Sequence, residues 1–334
     1  MQTQKNLSSL GEFGLIELIR SRFPQPSPPE LGIGDDAALL SPSPSSQLLV
    51  STDLLAEGVH FNLEFCSPYL LGRKALAVNL SDIASMGATS RWFFLSIAIP
   101  AGFPLATIEG LLDGLSAQAA EHNCILAGGD TCSSKGGLTI SITIIGEQKP
   151  ELILKRSGAK YGDDIWVSGT LGDSALGLQL LLQGKRLGSG EDYLLLRHID
   201  PVPRCNLGVK LAESDQVNAM IDISDGLLAD LGHICESSGC SAEIQLEKIP
   251  LSSSFTKYFS DSSSIPWSLV ISGGEDYELC FTASPDNRNT IYELAKTAGI
   301  QVTVVGKVGG SDGIRTIKPD GKEFRPTASG YTHF

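Results

Sequence analysis

Ala219-Met220-Ile221-Asp222-Ile223-Ser224-Asp225-Gly226-Leu227 is the most telling stretch of this 334-residue chain. Ala219 to Ile223 reads as a short strand. A small acidic turn, Ser224-Asp225-Gly226, follows at once, and a helix pattern runs from there through Ser237. The same order recurs elsewhere: a short apolar strand ending in a small-residue turn that bears a carboxylate. It is met at Gly34-Asp35-Asp36, Ser51-Thr52-Asp53, Gly128-Gly129-Asp130 and, after Leu269 to Ser272, at Gly273-Gly274-Glu275-Asp276.

Working outward, Leu48 to Thr52 reads as a short buried strand ending at Asp53. Arg73 to Gly87 reads as a helix, because Leu76, Leu80, Ile83, Ala84 and Gly87 form one apolar stripe. Within it Asn79 and Asp82 are three apart and share a face. Trp92 to Ile99 is a strand stopped by Pro100, Leu105 to Ala120 a helix, and Leu138 to Ile145 a half-buried strand. The pattern restarts around residues 147–156, which sets domains at 1–148 and 149–334. In the second, Ile165 to Ser168 is a strand. Asp173 or Ser174 can cap a helix running to about Gln183. Leu279 to Thr282 and Val302 to Val305 are further strands. Pro24–Glu30 and Ser41–Ser46 read as loops. Strands and helices mix without a strict βαβ repeat, so the fold class expected is α+β.

Composition removes several function classes. The chain has 25 basic and 38 acidic residues, a net charge of −13, and no Lys/Arg cluster. That argues against nucleic acid, which needs a basic stripe. The longest strongly apolar stretch, Trp92 to Ile99, is far too short to span a bilayer. The polar start, Met1 to Phe13, has no signal-peptide core. Seven cysteines at irregular spacing, without a C-x-x-C pair, read as reduced thiols of a cytoplasmic protein. Five scattered histidines make a His-rich zinc site a poor expectation. Gly32-x-Gly34-x-x-Ala37 follows a proline-rich loop and carries two aspartates where a pyrophosphate would sit, so it is a poor dinucleotide fingerprint. No phosphate-binding P-loop and no protein-kinase motif occurs.

What the acidic turns could do follows from their number. Converging carboxylates repel one another strongly. They then need hard divalent cations, which oxygen ligands suit. Magnesium usually completes its shell with water and substrate phosphates, so an acidic protein can hold an anionic nucleotide through metal ions. Arg156, just before Ser157-Gly158, could reach a phosphate, and His60 follows the Ser51-Thr52-Asp53 motif closely.

Taken together, Gly32-Ile33-Gly34-Asp35-Asp36, Ser51-Thr52-Asp53, Val78 to Ala88, Gly128 to Thr131, Arg156 to Lys160, Asp222 to Leu227 and Ser272 to Leu279 closely resemble the thiamine-monophosphate kinase family. The acidic turns are shared more loosely with the aminoimidazole-ribonucleotide synthetase superfamily. The resemblance runs from Gly11-Glu12-Phe13 to Gly330-Tyr331-Thr332-His333-Phe334. It implies a two-domain synthetase-like fold, with an N-terminal α/β domain forming a dimeric β-barrel interface and a C-terminal α+β domain. It implies ATP and thiamine monophosphate as substrates, several Mg2+ ions, and room for a K+ requirement in a cytoplasmic homodimer. Carried over by position, Asp36, Ser51, Thr52, Asp53, Asp82, Asp130, Asp222 and Asp225 would be metal ligands. Gly129, Asp130, Arg156 and Ser224 would meet the nucleotide, and His60 and Glu275 the thiamine phosphate. No residue is implied as general base or nucleophile. Ala328 stands where relatives carry an aromatic residue against the thiamine rings, and Tyr331 is the nearest aromatic. A related ATP-dependent synthetase and a catalytically silent nucleotide-binding regulator are the competing readings. The first cysteine, Cys66, lies far from the N-terminal position a selenide donor uses.

Overall fold

The computed structural model describes residues 10–27, 30–259, 265–309 and 313–331. The first nine residues of the polar start and Thr332 to Phe334 of the closing motif lie outside them, as do Pro28 and Pro29 of the first loop. The chain forms two compact units, residues 1–83 with 89–150, and residues 84–88 with 151–334. Both mix helices and strands. No helix among the described residues is long and apolar enough to cross a membrane.

The first unit is a four-stranded sheet covered by helices. The strands are β1 (Gln47–Ala56), β2 (Thr89–Pro100), β3 (Ile125–Ser134) and β4 (Thr139–Gln148), in spatial order β1-β4-β2-β3. The β2–β3 pair is parallel, as its intervening helix requires. Strict alternation decides what each face carries. Leu49 and Leu55 of β1 are buried, whereas Leu48, Val50 and Leu54 on the alternate face are exposed. Helices α1 (Gly11–Arg22), α2 (Pro68–Ser85) and α3 (Leu105–Glu121) complete the unit. Helix α2 buries Leu76, Leu80 and Ile83 from the predicted stripe. It approaches α3 so closely that a Cβ at Gly114 would stand 1.8 Å from the Tyr69 carbonyl oxygen. Two close-packed helices thus fix the height at which α2 carries Asn79 and Asp82.

The second unit is a seven-stranded sheet flanked by helices. Its strands are β5 (Asp164–Ser168), β6 (Ala219–Asp222), β7 (Ala242–Gln245), β8 (Leu279–Ala283), β9 (Val302–Val308), β10 (Ile314–Ile317) and β11 (Glu323–Phe324). The order is β11-β10-β7-β9-β5-β8-β6. The helices are α4 (Asp173–Leu182), α5 (Asp192–Ile199), α6 (Cys205–Glu213), α7 (Leu227–Ser238), α8 (Ser253–Tyr258), α9 (Trp267–Ser272) and α10 (Arg288–Ala298). Trp166 and Phe281 stack on neighbouring strands at 5.8 Å and 4°, amid buried Leu207, Leu211 and Ile291. The architecture is therefore mixed α+β in two units. No closed barrel forms among the described residues of the single chain.

Four local expectations are corrected. Ser51-Thr52-Asp53 is not a turn after a short buried strand: β1 runs on to Ala56, paired residue for residue with β4. Gly128-Gly129-Asp130 likewise lies inside β3, where a bulge between Leu126 and Gly128 opposite Phe93 and Phe94 absorbs the irregularity. Leu269 to Ser272 belongs to a short helix, α9, entered after Pro266 and closed by Gly273. Neither Asp173 nor Ser174 caps α4. The N-cap is Gly172, at φ 84°, without a side-chain bond of its own. Asp276, far along the chain, accepts instead from the Gly172 and Ser174 N–H groups at 2.8 and 3.2 Å.

Candidate active site

In the first unit, residues at alternate positions of β1 face α2. Ser51 Oγ donates to Asp82 Oδ2 at 2.5 Å. Asn79 Oδ1 accepts from the Asp53 N–H at 3.2 Å, and its own amide donates to the Ala75 carbonyl at 3.0 Å. Two carboxylates, a hydroxyl and a side-chain amide are thereby gathered. Burial, and then the neighbouring Asp82, push the Asp53 carboxyl up to about 7. No Lys or Arg forms an ion pair with Asp53 among the described residues. Oxygen donors and an uncompensated half-buried acid fit a hard divalent cation. No group of three or more His, Cys, Asp or Glu side chains arranged to hold a metal ion occurs among the described residues. Water and phosphate oxygens would therefore have to complete any coordination shell.

The other expected residues of this unit have settings of their own. Thr52 is on the opposite face of β1, where its hydroxyl donates to the Ile142 carbonyl at 3.1 Å and meets Thr143 Oγ1. The pairing places Asp53 in one row with Ile142, Leu95 and Gly129. Asp130 is exposed, one row along beside Ser96, and three strand spacings, about 14 Å, from β1. Gly129 has φ 156°, and a Cβ there would stand 1.8 Å from the Leu95 carbonyl oxygen, so no side chain fits. Asp36 is exposed, its N–H donating to Asp35 Oδ1 at 2.9 Å in a loop closed by Leu31–Leu39 hydrogen bonds. His60 Nδ1 accepts from the Ala56 N–H at 3.1 Å, and the buried Lys74 ammonium donates to the His60 carbonyl at 3.3 Å. A neutral His60 ring must then carry its proton on Nε2, a donor suited to an anionic oxygen.

In the second unit, two segments far apart in sequence are laced together. Ser224 and Asp225 follow β6, whose last residue Asp222 is buried. The Glu275 N–H donates to the Ser224 carbonyl at 2.7 Å and the Tyr277 N–H to the Ile223 carbonyl at 2.9 Å. A Cβ at Gly274 would lie 2.6 Å from the Ser224 carbonyl oxygen, so glycine is what lets the strands of chain touch. Glu275 and Tyr277 both take left-handed backbone, at φ 66° and 50°, a strained conformation that the surrounding bonds hold in place. Glu275 Oε2 lies 3.0 Å from His198 Nδ1, which also meets Ser174 Oγ at 3.2 Å. The C-terminal segment joins them: the Tyr331 N–H donates to the Asp225 carbonyl at 3.0 Å and Ser272 Oγ to the Ala328 carbonyl at 2.7 Å. Arg156 is exposed, with no ion pair among the described residues. Its loop is pinned by one hydroxyl, Ser238 Oγ. That atom accepts from the Gly158 and Ala159 N–H groups at 3.1 and 3.2 Å and donates to the Arg156 carbonyl at 3.3 Å.

Behind Glu275 sits an ionic cluster around the fully buried Glu278 and Asp276, which sequence reading missed. Burial alone would raise the Glu278 carboxyl, but Arg204 and Arg197 hold it below its ordinary value. Asp276 beside it is pushed up to about 7 by burial, against the pull of Arg197. Asp230, also buried, is raised to about 7 for the same first reason.

Against known proteins, the family description "AIR synthase related protein, N-terminal domain" matches residues 34–148, and its C-terminal counterpart matches 160–318. Thiamine-monophosphate kinase of Salmonella typhimurium is 40% identical over 97% of this chain and 98% of its own length. This chain belongs to the thiamine-monophosphate kinase family. Among solved structures, the family member from Stenotrophomonas maltophilia K279a is 39% identical, with a TM-score of 0.82 over 94% of this chain and 98% of that one. A structure described as AaThiL complexed with AMPPCP and TMP is 34% identical, with a TM-score of 0.76 over 100% of both chains. The two-unit fold is thus that of the AIR synthase related proteins.

Proposed function

We propose that the chain transfers the terminal phosphoryl group of ATP to thiamine monophosphate, giving thiamine diphosphate. The observation that carries this reading is the full-length likeness to a family member described with AMPPCP and TMP. The site geometry supports it. The acceptor is a phosphate monoester whose second pKa is about 6, so it is largely ionised at neutral pH and needs no general base. Two polyanions must instead be brought together and held in line. Magnesium bound by carboxylate and hydroxyl oxygens would neutralise phosphate charge. In this reading Asp53, Asp82 and Ser51 hold one part of that metal set. Asp36 and Asp130 in the first unit, and Asp222 and Asp225 in the second, are proposed as further metal contacts, and Thr52, whose hydroxyl is turned to Ile142 and Thr143, would contribute through its main chain alone. Arg156, Ser224 and Gly129 with Asp130 receive the nucleotide. His60 offers its Nε2–H to the thiamine phosphate, and Glu275 offers a carboxylate to the cationic thiazolium. The seven cysteines, irregularly spaced and without a C-x-x-C pair, support a reducing cytoplasm as the setting.

A coupled assay of ADP release tests the reading, with thiamine monophosphate, thiamine and aminoimidazole precursors compared as acceptors. Turnover with thiamine monophosphate alone is expected, and turnover confined to another acceptor would overturn it. Replacing K+ by Na+ in the same assay tests the monovalent requirement.

Two further results are expected. Ser238→Ala frees the loop carrying Arg156, so the KM for ATP should rise about three- to tenfold for loss of about 1 kcal/mol of hydrogen bonding. The KM for thiamine monophosphate and the melting temperature should hardly move. An unchanged KM for ATP would separate Arg156 from the nucleotide. We also propose that the chain is a homodimer through the first unit's sheet. Leu48, Val50 and Leu54 are 45%, 62% and 56% exposed on one face of β1, an apolar patch that a second copy would cover. Val50→Asp should halve the mass measured by sedimentation equilibrium. A wild-type chain already monomeric there would contradict the proposal.

A further inference from the structure

The turn Ile223-Ser224-Asp225-Gly226 has a full backbone account. The Ile223 N–H donates to the Glu278 carbonyl, and the Ile223 carbonyl accepts from Tyr277. The Ser224, Asp225 and Gly226 carbonyls accept from the N–H groups of Glu275, Tyr331 and Asp230. That leaves three consecutive N–H groups, of Ser224, Asp225 and Gly226. All three donate to one atom, Asp230 Oδ2, at 3.1, 3.1 and 3.0 Å. Asp230 itself is 2% exposed, on the first turn of α7. Gly226 is at φ 123°, and a Cβ there would lie 2.9 Å from the backbone of Ser272, so the turn has no room to relax sideways.

We infer that Asp230 is a positioning residue for the nucleotide and metal contacts of this site: its single oxygen gathers three backbone N–H groups and so fixes where Ser224 and Asp225 present their side chains. This rests on the reading of Ser224 and Asp225 proposed above. With every main-chain group of the turn committed, the half-buried side chains of Ser224 and Asp225 are the polar groups it has left to offer a ligand. The requirement on residue 230 is an acceptor oxygen at that place. Asparagine supplies one without charge, and alanine supplies none, leaving three N–H groups without the acceptor they share.

The test compares Asp230→Asn and Asp230→Ala in the full chain. Amide exchange is followed across residues 222–238, and Mg2+–AMPPCP binding is measured by calorimetry. Asp230→Ala is expected to speed exchange at Ser224, Asp225 and Gly226 while Leu231 to Ser238 stay protected. It should weaken Mg2+–AMPPCP binding about tenfold or more. Asp230→Asn should stay within about threefold of wild type in both. Wild-type binding by Asp230→Ala overturns the inference. So does loss of protection along all of α7 in that variant with the Asn variant following it, since that is what a purely structural residue would do. Should Asp230→Ala fail to fold, the Asn variant decides: a tenfold loss of affinity in an intact fold would show that charge, not the acceptor, matters. A chain that binds Mg2+–AMPPCP with this variant pattern but does not phosphorylate thiamine monophosphate would sink the proposed function and leave the positioning role standing.

Discussion

Asp53→Asn is expected to make the protein more stable at pH 8 and nearly inactive. The two effects share one cause. Burial, and then Asp82, raise the Asp53 carboxyl to about 7, from an ordinary value of 3.8. Between those two values the folded chain binds a proton that the unfolded chain releases, so stability falls as pH rises through that window. Above it the charge is a full penalty in the metal-free protein. Below pH 4 the acid is protonated in both states and the penalty is gone. Asparagine keeps the shape and carries no charge. The gain at pH 8, discounted because the group is only half-buried, is about 1–2 kcal/mol, or roughly 2–6 °C in Tm. The difference should vanish near pH 4. Turnover should fall on the order of 10²-fold or more, because a metal ligand is lost. Melting curves at pH 4, 6 and 8 and a kcat measurement check both arms. A destabilised variant at pH 8, or one with wild-type turnover, would contradict this account of Asp53.

The largest purely structural effect should come from Arg204→Ala. Glu278 is fully buried, and Arg204 meets it through both Nε and Nη2, with Arg197 Nη2 at 3.0 Å and Ser168 Oγ at 2.6 Å. Removing one guanidinium leaves a buried carboxylate under-compensated, a change that typically costs about 3–5 kcal/mol. Urea unfolding is expected to show a loss of about 3 kcal/mol. Adding Glu278→Gln should recover part of it, since the stranded charge is then gone. A loss below about 1 kcal/mol would mean that Arg197 alone satisfies Glu278.

These two residues mark what was legible in the chain and what was not. Asp53 could be singled out because its neighbours Ser51 and Thr52 sit on an apolar run. The turn expected there gives way to the alternation Leu49, Ser51, Asp53, Leu55, which is that of a strand continuing past the acid. That alternation also separates Thr52 from Ser51 and Asp53, which adjacency in sequence conceals. The helix carrying Asn79 and Asp82 was legible from its stripe alone. Arg204, Asp276, Asp230 and Ser238 were not. Each works on a backbone or side-chain group that the fold, not the local pattern, brings to it. Asp276 reaches Gly172 across 104 positions, and Ser238 reaches the Arg156 carbonyl across 82. An Asp four residues after Gly226 looks like any first-turn acid of a helix, and nothing local says that it collects three N–H groups.

In the proposed reaction these acids act through divalent cations. Thermal melting of the purified chain with ATP and Mg2+, with ATP and EDTA, and with neither tests it most directly. A ligand that binds only the native state raises Tm by mass action. A rise with Mg2+–ATP that EDTA abolishes, and that Asp53→Asn no longer shows, is predicted. An equal rise with ATP and EDTA would contradict it.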